Sequence, residues 1–102
     1  MIIVAGIFTF DPAHQSAFVA AAGRVAEATR TEDGCISYEF FADLAEEGRV
    51  HLFEEWEEEH HLLAHFEAPH FAEFSRELDA IGIRSRDVNR YHVSRYGPNR
   101  PS

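Results

Sequence analysis

Residues 35–57, CISYEFFADLAEEGRVHLFEEWE, contain the pattern that decides the fold. Two segments, Cys35 to Ala42 and Arg49 to Glu57, are rich in β-branched and aromatic residues, a composition typical of strands. The residues between them are mostly polar and end in Gly48, which predicts a hairpin loop from Asp43 to Gly48. The stretch therefore predicts two antiparallel strands near the middle of the chain.

One face of this hairpin carries a carboxylate among apolar side chains. Successive side chains of a strand point to opposite faces, so alternate residues share a face. The predicted shared faces are Ile36, Tyr38 and Phe40 in the first strand, and Leu52, Glu54 and Trp56 in the second. A carboxylate in such surroundings must be hydrogen-bonded, paired with an arginine or protonated. Glu54 is therefore either a structural ion-pair residue or a functional acid.

The segment before the hairpin predicts a strand and a long helix. Ile2 to Phe10 have strand composition, and the Asp11-Pro12 pair that follows suits a helix cap and first turn. An apolar stripe predicts a helix from Pro12 to about Thr31. The first strand has no polar residue on either face before Thr9, although one face of an antiparallel sheet normally contacts water. We therefore expect a homodimer in which a partner covers that face; the alternative is a central strand with a small open face.

The segment after the hairpin completes the fold. A short helix is predicted over Glu58 to Phe66, and Ala68-Pro69 interrupts it. A further helix begins at Pro69 and is closed by Gly82, and Asp87 to Tyr96 have strand composition. The order β-α-β-β-α-β predicts an α+β fold of the ferredoxin-like type, with a four-stranded antiparallel sheet and helices on one face.

Composition limits the function. The chain has 102 residues, which predicts a single domain over residues 1–97 and a tail over 98–102. A net charge of −9 argues against nucleic acid as a partner, and no apolar run is long enough to span a membrane. One cysteine excludes four-cysteine zinc sites. No Lys or Arg precedes Arg24, so a secretory signal is not predicted and we expect a cytoplasmic protein.

Several side chains are candidates for chemistry. His65 and His70 bracket the break at Ala68-Pro69 and could converge on a cavity, where a neutral imidazole can accept a phenolic proton. The alternative is that both imidazoles only satisfy buried backbone groups. Trp56 is either an aromatic wall for a planar substrate or a core residue. Tyr38 is either a hydrogen-bond donor to the substrate or a packing residue. His61 and His65 have a spacing that could chelate a metal, but no third ligand is evident, so no metal site is predicted.

These residues also form a pattern of known type. The elements Asp33-Gly34-Cys35-x-x-Tyr38, Glu54-x-Trp56, Leu62-x-x-His65 and Pro69-His70-Phe71 resemble the antibiotic biosynthesis monooxygenase (ABM) family. The resemblance implies a dimeric α/β barrel built from ferredoxin-like subunits. Several members oxidise hydroquinones or phenolic polyketides with O2 and use no metal, flavin or haem, whereas others cleave haem or isomerise a small molecule.

The sequence departs from two branches of that family. Ser75 stands where the haem-degrading branch has a ligating histidine, so haem cleavage is not expected. Leu52 stands where polyketide-oxidising members carry an asparagine, and Arg76 is the residue that could match an arginine on the helix after the Pro-His element. The resemblance therefore implies the fold more firmly than the substrate.

The resemblance, taken with these residues, implies a cofactor-independent monooxygenase that oxidises a quinol or related phenolic or polyketide aromatic with O2. No phosphate loop, nucleophile elbow or dinucleotide fingerprint is present. If the chain is an oxidase of this kind, the substrate must therefore supply the electrons itself. The predicted catalytic residues are His65 and Trp56, and the predicted substrate pocket consists of Glu54, Leu52, Tyr38, His70 and Arg76. The alternatives are a non-catalytic dimeric module that binds a small ligand or acts in stress, and a small isomerase or lyase.

Overall fold

The computed structural model describes residues 1–101 and confirms the predicted α+β class. The strands are β1 (Ile2–Thr9), β2 (Cys35–Ala42), β3 (Arg49–Trp56) and β4 (Ser85–His92). The helices are α1 (Gln15–Thr29), α2 (Glu59–His65) and α3 (Pro69–Ile81). The order of elements is the ferredoxin-like order expected from the sequence.

The four strands form one antiparallel sheet in the order β2-β3-β1-β4. β1 is therefore a central strand, and each of its residues faces one residue of β3 and one of β4. Val4, for example, pairs with Glu54 on one side and Arg90 on the other. This register decides which side chains of the distant strand β4 join those of β3 on the same face.

One face of the sheet is covered by the helices and holds the core. Alternate residues of β1 and β3 are buried there, as the strand pattern predicts. The aromatic centre of this core consists of Phe8, Phe10 and Phe18, with Phe10 and Phe18 stacked at a centroid distance of 4.6 Å. Burial of these rings supplies the main driving force for packing α1 on the sheet.

Two boundaries differ from the sequence expectation. Pro12–His14 form a separate 3-10 turn, capped by the Asp11 carboxylate, before α1 begins. The last strand was expected over Asp87 to Tyr96, but β4 covers Ser85–His92 because it pairs residue for residue with β1. Beyond His92 the strand has no partner except a hydrogen bond from the Val93 amide to the Met1 carbonyl.

A bulge in β2 corrects one predicted face. The pairing register between β2 and β3 shifts between Cys35 and Ser37. An extra residue in one strand is pushed out of the ladder, and here it is Ile36, which is 51% exposed. Ile36 therefore does not share the buried face with Tyr38, and Cys35 lies opposite Trp56 instead.

The other face of the sheet carries apolar side chains that the helices do not cover. Ile3 and Ile7 of β1 are only partly buried, as is Phe53 of β3. Tyr91 of β4 and Phe41 of β2 are each about half exposed. Within residues 1–101, none of the helices has both the length and the apolar composition needed to cross a bilayer.

Candidate active site

A cavity of about 290 Å³ lies between the covered face of the sheet and the helices α2 and α3. We call it the sheet–helix cavity. Its walls are mostly aromatic and aliphatic, and its polar side chains are Tyr38, Glu54, Ser75, Arg86 and Arg90. An apolar cavity with a few converging polar groups is the usual form of a small-molecule site, and this one lies near the lower end of the usual sizes.

Glu54 is a buried acid in this cavity. β3 places it between Leu52 and Trp56 on the covered face, where it is only 5% exposed. The Trp56 indole Nε1 donates a hydrogen bond of 2.8 Å to Glu54 Oε1. Burial raises the pKa of Glu54 to about 7, against the opposing effect of the Trp56 hydrogen bond and with a contribution from the charge of Glu32. A carboxylate of this pKa is partly ionised at neutral pH and can accept or donate a proton.

Tyr38 and Leu52 are the sequence-predicted pocket residues that line the cavity beside Glu54. Tyr38 faces Glu54 across the β2–β3 pair and is 2% exposed. Burial raises the pKa of the Tyr38 phenol far above its usual range, and the charges of Glu54 and Glu32 raise it further. The phenol therefore keeps its proton at neutral pH and is available as a hydrogen-bond donor.

A carboxylate that sequence reasoning missed joins the two predicted histidines. Glu32 follows the end of α1, and its Oε2 lies 2.7 Å from His65 Nδ1 and 2.7 Å from His70 Nε2. His65 ends α2, and His70 lies in the first turn of α3. Glu32 therefore fixes the orientation of both rings and favours a proton on the bonded nitrogen of each.

His65 lies behind the wall of the sheet–helix cavity. Its side chain is 1% exposed, and its ring packs against Trp56, Tyr38 and Phe71 at centroid distances of 5.0 to 5.5 Å. Tyr38 and Phe71 line the cavity, whereas neither His65 nor Trp56 does. Burial lowers the pKa of His65, partly offset by the hydrogen bond and charge of Glu32, so the ring is neutral at pH 7. Its Nε2 atom has no hydrogen-bond partner among the residues that the structure describes.

The remaining predicted pocket residues lie away from the cavity. His70 does not line it; its ring hydrogen-bonds to Glu32 and lies 5.9 Å from the His65 ring. Arg76 lies outside it on the exposed side of α3, where its guanidinium pairs with Glu73. The structure brings two other arginines, Arg86 and Arg90 of β4, to the cavity instead. Alternation along the last strand puts these two on one face, but the sequence does not show which face is covered.

The structure also supplies a possible third metal ligand that the sequence did not reveal. The nearest donor atoms of Glu32, His65 and His70 all lie within 4.8 Å of one another, and two imidazoles with a carboxylate suit Zn²⁺ or Fe²⁺. In the structure Glu32 Oε2 is already hydrogen-bonded to His65 Nδ1 and to His70 Nε2. A second group of three, Glu58, His60 and His61, lies near the start of α2 and is largely exposed.

Comparison with known proteins decides the family. The family model for antibiotic biosynthesis monooxygenases matches residues 1–77. The chain belongs to this family. A structure of a candidate antibiotic biosynthesis monooxygenase from Deinococcus radiodurans superimposes with a TM-score of 0.91 over 99% of this chain and 100% of its own, at 22% identity, and so shows the shared fold.

Two further relatives extend the comparison. A Mycobacterium tuberculosis protein of known structure has a TM-score of 0.84 and 26% identity, covering 95% of this chain and 98% of its own. An uncharacterised protein of the cyanobacterium Synechocystis is 31% identical over 93 residues, which are 91% of this chain. The match spans 63% of the length of that relative. The comparisons therefore define the family of the chain and not its substrate.

Proposed function

We propose that the protein is a cofactor-independent monooxygenase that oxidises a quinol or a related phenolic aromatic with O2. The observation that most supports this proposal is Glu54, a buried carboxylate with a pKa of about 7 inside a cavity walled by aromatic rings. A general base works best when its pKa lies near the working pH. Family membership supports the type of reaction, and the cavity supports a small, largely apolar substrate.

In the proposed mechanism, the Glu54 carboxylate accepts the acidic proton of the bound substrate. The apolar walls exclude water and hold the aromatic ring, so the resulting anion is poorly solvated and rich in electrons. Such an anion can reduce O2 directly. For a substrate of the anthrone type, the CH2 group and O2 give C=O and water, and the substrate supplies all four electrons.

Trp56 and His65 have positioning roles in this scheme. The Trp56 N–H holds Glu54 in the cavity, and the His65 ring packs on the Trp56 indole at 5.2 Å. The competing assignment makes His65 the base, with Nε2 as the proton acceptor. The two assignments predict different pH profiles of kcat/KM. With Glu54 as base the rising limb is centred near pH 7, whereas with His65 it lies below 6.5 because burial lowers the pKa of that ring.

Oxygen uptake tests the proposal. Protein stripped of metal is mixed with a panel of hydroquinones and anthrones, and O2 consumption is followed from pH 5 to pH 9. Glu54→Gln should lower kcat by roughly 10²- to 10⁴-fold, the usual contribution of a general base, and should abolish the limb near pH 7. Glu57→Gln is the matched control, since Glu57 is exposed and its side chain makes no hydrogen bond within residues 1–101. Full activity of Glu54→Gln would overturn the role of Glu54.

The same panel separates the alternative functions. A ligand-binding or stress-associated module would bind aromatic compounds in the cavity without consuming O2. An isomerase or lyase would change the substrate without consuming O2. Either result would contradict the monooxygenase proposal while leaving the cavity as the binding site.

We also propose that the active form is a homodimer. The support is the uncovered sheet face, on which Ile3, Ile7, Phe53 and Tyr91 lie together around β1. Sheets pack face to face at about 10 Å, so a second copy could bury these side chains. Sedimentation at micromolar concentration tests this expectation, and a monomer would contradict it.

A further inference from the structure

The sheet–helix cavity carries positive charge in a strongly acidic protein. The chain has a net charge of −9, yet two of its nine basic residues, Arg86 and Arg90, line this one cavity. The cavity holds one acidic side chain, Glu54. Its arginines therefore outnumber its carboxylates, in contrast to the rest of the molecule.

Neither arginine is paired within the described part of the chain. No carboxylate of residues 1–101 lies within 4.0 Å of either guanidinium, although five other arginines do form such ion pairs. Glu54 hydrogen-bonds to Trp56. It forms no ion pair with Arg90, which lies on the other side of Val4 in the sheet. Both residues are exposed, so water solvates their guanidiniums, and a bound molecule with acceptor groups can replace that water.

The two arginines lie at different positions along the cavity. Both are on β4 with Val88 between them, so their Cα atoms are about 13 Å apart along the strand. Arg90 lies at the level of Glu54, and the Arg86 guanidinium lies 5.3 Å above the Phe8 ring. A flat molecule in the cavity therefore meets an acid and a guanidinium at one end and a second guanidinium over an aromatic ring at the other.

We propose that Arg86 and Arg90 select an aromatic substrate that carries a carboxylate. The planar guanidinium matches the geometry of a carboxylate and forms strong charge-assisted hydrogen bonds with it. The aromatic walls hold the ring, and Glu54 faces the phenolic hydroxyl. This inference rests on the proposed function for the reaction, but the binding of a carboxylated aromatic can be measured without turnover.

A pair of probes isolates the carboxylate. 1-Hydroxy-2-naphthoate and 1-naphthol differ only in that group, and their binding to the full-length protein is measured by titration calorimetry. We expect the carboxylated probe to bind roughly 10- to 100-fold more tightly, as a charge-assisted hydrogen bond allows, and its advantage to shrink at high salt. Equal affinities of the two probes would overturn the inference and leave the proposed function standing. Binding of neither probe would contradict both.

Variants assign the selectivity to the two side chains. The carboxylate of 1-hydroxy-2-naphthoate is next to its hydroxyl and so lies at the Glu54 end of the cavity, beside Arg90. Arg90→Gln should therefore reduce the affinity for this probe with little effect on 1-naphthol, Arg90→Lys should restore part of the loss, and Arg86→Gln at the opposite end should reduce the affinity less. Arg84→Gln is the matched control, because it removes the same charge just before β4 but lies outside the cavity, near Asp11. Unchanged selectivity in both cavity variants would refute the assignment, and circular dichroism confirms that each variant is folded.

Discussion

Glu54 links the chemistry of the cavity to the stability of the fold. In the unfolded chain its pKa has the ordinary value of 4.5, whereas burial raises it to about 7 in the folded protein. Below pH 4.5 the carboxyl is protonated in both states. As the pH rises from 4.5 to 7, the unfolded state loses the proton while the folded state keeps it, so stability falls, and above 7 the loss is complete. At about 1.4 kcal/mol per tenfold change in proton affinity, the full loss is about 3 kcal/mol.

Glu54→Gln removes this titration but keeps an oxygen that can accept the Trp56 hydrogen bond. We expect the free energy of unfolding of the variant, relative to wild type, to rise by about 2 to 3 kcal/mol between pH 5 and pH 8, since a small part of the loss is already complete at pH 5. Burial lowers the pKa of His65 and gives the opposite trend, with stability gained as the pH rises, but this contribution is common to both proteins and cancels in the difference. The comparison therefore reports on Glu54 alone.

Urea unfolding at fixed protein concentration measures the effect, since a dimer would make stability depend on concentration. For a protein of this size, 3 kcal/mol moves the midpoint by roughly 1 to 3 M urea. Glu57→Gln, with an exposed carboxylate, should track the wild type at both pH values. If the difference between wild type and Glu54→Gln stays constant from pH 5 to pH 8, Glu54 titrates normally and the argument for its role as a base fails.

Three further expectations concern the surroundings of the cavity. Glu32→Gln removes the negative charge of the carboxylate to which both imidazoles hydrogen-bond, so it should destabilise the protein by about 2 kcal/mol in thermal or urea unfolding. Asp33→Asn, at the exposed neighbouring residue, should not. Gly6→Ala places a Cβ about 2.0 Å from the Asp87 carbonyl oxygen, so we expect a loss of about 2 kcal/mol or more, measured by the same methods. Elemental analysis of the purified protein should find well below one metal ion per chain; a stoichiometric metal that is lost in Glu32→Gln would assign the Glu32, His65 and His70 group to an ion.

The sequence by itself determined the secondary-structure elements and the side of the cavity that β3 forms. Strand composition, the hairpin loop and the proline and glycine positions are local features, and they predicted the β-α-β-β-α-β order and the α3 boundaries. Alternation along β3 also placed Leu52, Glu54 and Trp56 on one face, because the side chains of a strand change faces at every residue.

Only the tertiary structure decided which distant groups meet at that face. Glu32 lies 33 residues before His65, and no periodic pattern connects them; the packing of α3 against α1 and of α2 against β3 brings the carboxylate between the rings. In the same way, the register of β4 against β1 brings Arg86 and Arg90 to the cavity, while the turn of α3 carries Arg76 to the exposed side. Periodicity along the chain fixes the face on which a side chain lies, but its partners depend on pairing and packing between segments far apart in sequence.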